Sequence, residues 1–372
     1  MISLNNARRF MMPSKTLGAY VIKLYLKSFL GMLIGLVSVL QLLDLLANMD
    51  AVMNGVGASA GSAVDYVLLR LPQLMSEFIP FSALLATLLT LAALNQNSEI
   101  IIMKASGLSA HRILFPLGVP CLIIAMLHFT FNETVVTQST AKLNYWADND
   151  YAAGLPPPPE YAKDARLVDD NMLVIAESIT RNGNIVVLDK VSLYERDPEG
   201  LPMSLIRANF AAYVNEKWTL FEVRYFNPIT HELSVVESLP WDIDAKPDSF
   251  LAATIKPDHV TSKKLWAAIE ELRKEGRPVD TLLASFYQKF FAPMATLLMP
   301  LLGAIAGFGV HRAGSLLVRI VMGMALGFSF FVADNFMLAM GEFGVAPPLM
   351  AAGAPFLLFL TVGFTVLFFT EE

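Results

Sequence analysis

The chain carries little with which to do covalent chemistry. Its 372 residues include one cysteine, Cys121, set in an apolar run. That excludes an intramolecular disulfide and any cysteine-built metal site, and leaves Cys121 as a small buried hydrophobe. The five histidines, His111, His128, His231, His259 and His311, are scattered, and no HExxH pair occurs, so the spacing of a zinc hydrolase is missing. No GxxxxGK[ST] loop is present, which excludes ATP binding by that route. Ser109 stands near His111 without the context of a triad. Charge is scarce too, at 16% Asp, Glu, Lys and Arg. No catalytic residue, metal ligand or cofactor site is assigned, and nothing points to an enzyme.

What is abundant is apolar surface. Hydrophobic residues make up 55% of the chain and mean hydropathy is +0.53, values that belong to a membrane protein. The charges are collected in one place. Residues 132–280 hold 24 acidic and 16 basic side chains, against 9 and 11 elsewhere. A water-loving block therefore interrupts an apolar chain, and its acidity argues against a nucleic-acid surface. Apolar runs at about Phe29–Ala47, Ala63–Leu94, Ile113–Phe131, Leu282–Val310, Leu316–Met340 and Ala346–Phe369 predict six membrane spans. The first follows Arg8, Arg9, Lys15, Lys23 and Lys27 and has the flank of a signal peptide. Its length is nearer that of an uncleaved anchor. Asp65, Arg70 and Glu77 put the first half of the second run above the membrane or against a wet cavity.

Orientation follows from the basic residues. Of the 11 outside the polar block, nine fall in the N-terminal segment, in residues 95–112, or in the loop with His311, Arg312 and Arg319. With six spans these places share one side, which predicts cytoplasmic termini and an external block. The expected organisation is residues 1–131 as spans one to three, 132–280 as a periplasmic all-β insert, and 281–372 as spans four to six.

Within the insert, MLVIAESI, NIVVLDKVSLYER, SLIRANFAAYVN, KWTLFEVRYFN and HELSVVESLP read as five strands rich in β-branched and aromatic residues. Asn182-Gly183, Asp197 to Gly200 and Asn227-Pro228 read as turns, and Pro156 to Pro159 as a stiff spacer. A sandwich or jelly-roll-like sheet is expected. Ser262–Gly276 reads as a helix with a serine at its start and a glycine at its end.

The segment Asn95–Pro116, NQNSEIIIMKASGLSAHRILFP, is too polar to lie in lipid and carries Glu99, Lys104, His111, Arg112 and a Ser106-Gly107 break. It predicts a short amphipathic helix and a turn. Two readings stay open: a plain connector held inside by its positive charge, or a coupling helix moved by a cytoplasmic motor. Polar residues at membrane depth are the other signal, because each costs about 2.5–3.5 kcal/mol at a helix centre on insertion scales. They are Gln41, Asp44, Glu77, Lys289, Asp334 and Asn335, with Lys142 just past span three. Lys142 and Lys289 either snorkel or line a cavity that meets an anionic head group. Phe328, Phe330, Phe331 and Phe336 are packing residues or the wall of an acyl-chain pocket.

These residues resemble a known family. EIIIMKASG (Glu99–Gly107), Lys289 and Pro293 in QKFFAP, FGVHRAGSLLVRIVMGMALGFSFFVADNF (Phe308–Phe336) and the following GVAPPLMAAGAP are similar to the LptF/LptG permeases of lipopolysaccharide export. The resemblance covers the whole chain, and the C-terminal third is closer to the LptG branch. It implies a heterodimer with an LptF-like permease, docked on a cytoplasmic LptB-like ATPase dimer that binds the ATP. It also implies an LptC-like single-span protein, an LptA-like periplasmic bridge, and a Gram-negative inner membrane. Carried over, the coupling helix is about 97–109, with Glu99 seated in the ATPase groove and Met103, Ala105, Ser106 and Gly107 beside it. Gln41, Asp44, Phe78, Lys142, Lys289, Phe331 and Asp334 become the cavity or rim that receives lipopolysaccharide, with spans one and five facing the partner. The chain departs from the family where Gln41 stands for a lysine and is followed by Asp44, Asn48 and Asp50. The alternatives are a lipoprotein-release permease, which has four spans, and a membrane-anchored receptor or scaffold with a ligand-binding β domain.

Overall fold

The computed structural model describes residues 15–155, 160–169, 172–182, 185–196, 202–214, 217–227, 232–243, 246–309 and 316–369. Arg8, Arg9, Pro156–Pro159, Gly183, Asp197–Gly200, Pro228, His231, His311 and Arg312 lie outside these, as do the side chains of His111 and Arg319. The chain divides into two units, residues 1–153 with 280–372, and residues 154–279.

The first unit is helical. In lipid a backbone has no water to bond, so a spanning segment must satisfy its own N–H and C=O groups. Six helices are long and apolar enough to cross a membrane. They are α1 (Lys15–Met53), α2 (Ala60–Gln96), a run from Arg112 to Asp148, α9 (Asp280–Gly309), α10 (Leu316–Glu342) and α11 (Pro348–Phe369). Between α2 and the third span lie α3 (Glu99–Ala105) and α4 (Ala110–Leu114). The third span is itself composite: a 3-10 turn (Phe115–Leu117), α5 (Gly118–Phe131), a π-helical turn (Asn132–Val136) and α6 (Thr137–Asp148). Where the sequence suggested the external block from residue 132, the helix instead continues to Asp148. The chain passes to the second unit only at Gly154.

Helix α2 is the centre of this unit, packing on α1, α9, α10 and α6. Ala83, Leu84, Ala86 and Leu94 have no exposed surface, and α9 contributes Leu298, Met299 and Leu302 to the same core. Glycines set the spacing. A Cβ on Gly303 would lie 3.2 Å from the Leu84 carbonyl oxygen and 3.1 Å from Thr87 Cβ, and one on Gly307 would lie 2.6 Å from Leu91 Cδ1. Small residues in an apolar helix permit such close packing, and Gly303 and Gly307 provide it here. Gly323 and Gly327 of α10 do the same against Leu88 and Leu84. Helix α1 is held on one face alone, by Val21, Tyr25, Phe29, Leu33, Val37 and Gln41 at every fourth residue. Its other faces expose Leu30, Ile34, Leu42, Leu43 and Leu46.

The second unit is a six-stranded antiparallel sheet: β1 (Glu160–Asp169), β2 (Met172–Asn182), β3 (Ile185–Arg196), β4 (Pro202–Val214), β5 (Lys217–Asn227) and β6 (Glu232–Trp241). It is the all-β insert expected from the sequence. The strand order runs β1 to β6 in sequence, a meander rather than the Greek-key order of a strict jelly roll. No more than five residues separate consecutive strands, too few for a crossover. Strand β1 is additional to the five expected. EYAKDARLVD is dense in charge, and its register along β2, from Glu160↔Arg181 to Asp169↔Met172, makes it a strand despite its weak propensity. Leu167, Val174, Leu188, Leu193, Leu220 and Val223 fill the core, with Phe210 stacked on its cross-strand partner Phe221 at 4.6 Å.

Helix α7 (Pro247–Ala253) packs on β1 and adds Phe250 to Trp218 and Trp241. In α8 (Ser262–Lys274) the cap is Thr261, not Ser262, since the Thr261 side chain accepts from the Lys264 amide. Gly276, at φ +70°, closes its far end, where the Gly276 and Arg277 amides donate to the Arg273 and Leu272 carbonyls.

The glycine seams make a prediction. Gly303→Val drives a side chain into the Leu84 carbonyl and is expected to cost about 1–3 kcal/mol. Gly35→Ala, with nothing within 4 Å, is expected to be neutral or slightly stabilising. Thermal unfolding of the two variants in detergent distinguishes them.

Candidate functional site

Two regions hold the candidate residues, at opposite ends of α2. Some 26 residues separate Arg70 from Gln96, roughly 40 Å at 1.5 Å per residue.

Past the C-terminal end lies α3. Its N-cap position, Ser98, has φ +59° and makes no side-chain cap bond. The C-terminal end is closed by Gly107 at φ +89°, where the Gly107 amide donates to the Lys104 carbonyl at 3.0 Å and the Leu108 amide to the Met103 carbonyl at 3.1 Å. That pair of bonds is a Schellman closure, and it requires the left-handed backbone that glycine adopts freely. Ser106 Oγ donates to the Met103 carbonyl at 2.8 Å. The helix turns Ile100 and Met103 into the core of the membrane unit and leaves Ile101 and Ile102 63% and 65% exposed. Met103 therefore anchors the helix, while Ala105, Ser106 and Gly107 are exposed. Glu99 is half-buried and accepts a hydrogen bond from the Tyr20 hydroxyl of α1 at 3.1 Å.

Near the other end of α2, Asp44 of α1 is held by three contacts. Arg70 pairs with it at 3.1 Å, Arg70 Nε donates to Oδ1 at 3.2 Å, and the Tyr66 hydroxyl donates to Oδ2 at 2.7 Å. Arg70 Nη1 also donates to Gln73 Oε1 at 2.6 Å. Both charges are mostly covered, with side chains 19% and 23% exposed. Gln41, one turn earlier, is 7% exposed, and neither its Oε1 nor its Nε2 has a partner among the described residues. Tyr66 meets the ring of Tyr151 at 6.1 Å, and Tyr151 meets Trp146 at 5.1 Å. Burial, and then the nearby Asp44 carboxylate, push the Tyr151 hydroxyl above its usual pKa.

The other rim candidates divide. Phe331 stacks on Phe81 at 4.2 Å, and Phe81 meets Phe78 at 5.7 Å, so Phe78 and Phe331 are joined across α2 and α10. Asp334 accepts from Gln288 Nε2 at 2.7 Å, the residue before half-buried Lys289. Lys142 stands exposed on α6. No pattern in the sequence singles out Tyr20, Tyr66, Gln73 or Phe81. Arg70 and Asp44 were visible as opposite charges on successive spans, and that was a signal for pairing. A buried polar network also went unrecognised. Ser76 Oγ donates to Asn132 Oδ1 at 2.7 Å and lies 2.9 Å from His128 Nε2. Ser76 has one proton to give, so His128 donates from Nε2. Its Nδ1 faces Thr296 Oγ1 at 3.5 Å. No cluster of metal-ligating side chains occurs among the described residues.

Six spans, a β insert between the third and fourth, and an exposed short helix after the second define a polytopic permease-type subunit. The family described as "Lipopolysaccharide export system permease LptF/LptG" matches residues 19–368, and the chain belongs to it. Over 368 residues it is 26% identical to the "Lipopolysaccharide export system permease protein LptG" of Haemophilus influenzae, covering 93% of this chain and 96% of that one. Over 353 residues it is 25% identical to the protein of that name from Escherichia coli K12, with the same coverage. The chain is thus a multi-pass inner-membrane permease of lipopolysaccharide export, and the four-span and receptor alternatives fall away.

The Schellman closure generates a prediction. Gly107→Ala places a Cβ in the left-handed region, at a cost of about 1–2 kcal/mol. Hydrogen exchange at the Leu108 amide should then accelerate by roughly tenfold.

Proposed function

We propose that this chain is one of two permease subunits driven by a separate ATPase dimer through α3. Its companions are an LptF-like permease, an LptB-like ATPase dimer, an LptC-like single-span protein and an LptA-like bridge. Both termini and α3 face the cytoplasm, and the β unit faces the periplasm, in keeping with the distribution of Lys and Arg. Lipopolysaccharide enters laterally from the outer leaflet into a cavity between the permeases. Apolar side chains meet its acyl chains. Closure of the ATPase dimer moves the coupling helices inwards, the cavity collapses, and lipid moves on towards the β unit. The chain supplies cavity and linkage and needs no cofactor of its own.

The observation that carries this reading is the division of α3 into two apolar faces. Ile100 and Met103 bind it to the membrane unit, so a push on it moves that unit. Ile101 and Ile102, adjacent and exposed beside Glu99, are an apolar patch on a polar segment and suit a partner's groove.

Glu99→Ala and Ile101→Asp are each expected to reduce co-purified ATPase by about tenfold, the scale of an interface hot spot. Membrane insertion should be unchanged and lipopolysaccharide export reduced. Normal export with normal recovery of the ATPase in both variants would refute the assignment of α3.

A further inference from the structure

We propose that this chain grips the saccharide part of its glycolipid through a charge-neutral site formed by Gln41, Asp44, Arg70 and Gln73, rather than gripping phosphate. The inference rests on the export reading above and specifies which part of the substrate this subunit recognises.

The site has three properties that bear on its ligand. It is neutral, because the one guanidinium is already committed to the one carboxylate at 3.1 Å and to Gln73 at 2.6 Å. Phosphate oxygens are acceptors only, and here they would face the Asp44 carboxylate with the cation already spent. The site also offers donors and acceptors together. Asp44 accepts, Arg70 donates, and the carboxamides of Gln41 and Gln73 do both, which matches hydroxyl and amide groups that likewise do both. Lastly, two half-buried rings, Tyr151 and Trp146, lie beyond Tyr66, which bonds Asp44 directly and is itself buried against Val52 and Leu143. Such rings suit the apolar face of a sugar.

Gln41 is the second, independent observation. It occupies a position in the stripe of Val21, Tyr25, Phe29, Leu33 and Val37, where an apolar residue would pack without penalty. Instead a carboxamide lies there, 7% exposed, one turn from Asp44, with both polar atoms unpartnered. A buried amide without partners costs stability, and a local rule broken in this way marks a functional position. A ligand hydroxyl reaching the α1–α2 seam supplies the missing bonds.

Gln41→Leu separates the two roles, because it keeps the volume and removes the unpartnered atoms. The full-length protein with its co-purifying subunits, in nanodiscs, is tested against lipid A, the same lipid A stripped of phosphate, and phosphatidylglycerol. The native protein should bind the two lipid A forms within about twofold of each other. Raising salt from about 0.05 M to about 0.5 M should change affinity by less than about twofold, since no free charge is neutralised. Phosphatidylglycerol should not compete. Gln41→Leu should melt at the native temperature or above it and bind both lipid A forms about five- to tenfold more weakly, as expected when a site built to bond hydroxyls loses a partner. A loss of tenfold or more on removing phosphate, or native affinity in Gln41→Leu, overturns the proposal while leaving the export reading intact. A native protein that binds neither form of lipid A removes both.

Discussion

Everything in the membrane unit depends on how closely α2 can be approached. A helix in lipid gains nothing from burying apolar surface against another apolar helix beyond what lipid tails would give it. What remains is contact, and contact depends on backbone distance. Gly303 and Gly307 from one neighbour, and Gly323 and Gly327 from another, bring two helices onto the Leu84–Leu91 stretch of α2. Leu84 is met from both sides. The fully buried set on α2, including Ala83, Leu84, Ala86 and Leu94, is a result of that approach rather than of hydrophobicity as such.

Helix α1 is built on the opposite plan. It has one packed face, one residue wide, and broad exposed flanks. After Gln41 the apolar stripe is interrupted by the Asp44–Arg70 pair and the Tyr66 hydroxyl, and it resumes at Leu45 and the fully buried Val52, which pack with Tyr66 and Leu143. At the other end Tyr20 reaches Glu99, so α1 touches α3 directly. Polar contacts thus punctuate the narrow apolar stripe, Tyr20 to Glu99 at one end and Asp44 to Arg70 and Tyr66 towards the other.

Much of this was legible in the sequence, for reasons that differ by element. The six spans followed from run length and scarcity of charge, because lipid enforces both. The strands of the insert followed from β-branched and aromatic runs, except β1, whose charged sequence is a strand only through its register with β2. The short helix α3 and the turn after it were legible in outline from the polar stretch at Glu99 and the Ser106-Gly107 break. That Met103 faces inwards and Ile101 outwards was not, since seven residues of helix are too few for periodicity to decide a face. Pairings across the bundle were least accessible. Phe81 between Phe78 and Phe331, or His128 among Ser76, Asn132 and Thr296, are set by the relative rotation of helices distant in sequence.

The π-helical turn at Asn132–Val136 has a consequence of phase. An α-helix advances about 100° per residue, so one extra residue in a single wide turn rotates every side chain after it by about that angle relative to an unbroken helix. The third span uses this offset to change neighbours along its length, with α5 lying chiefly against α9 and α6 against α2. A straight helix of the same sequence would keep one seam from end to end. The bulge takes up one residue: loss of one residue between 132 and 136 would let the turn close as ordinary α-helix and keep Thr140 and Leu143 inward, whereas straightening the span at full length would turn both out of the packed seam.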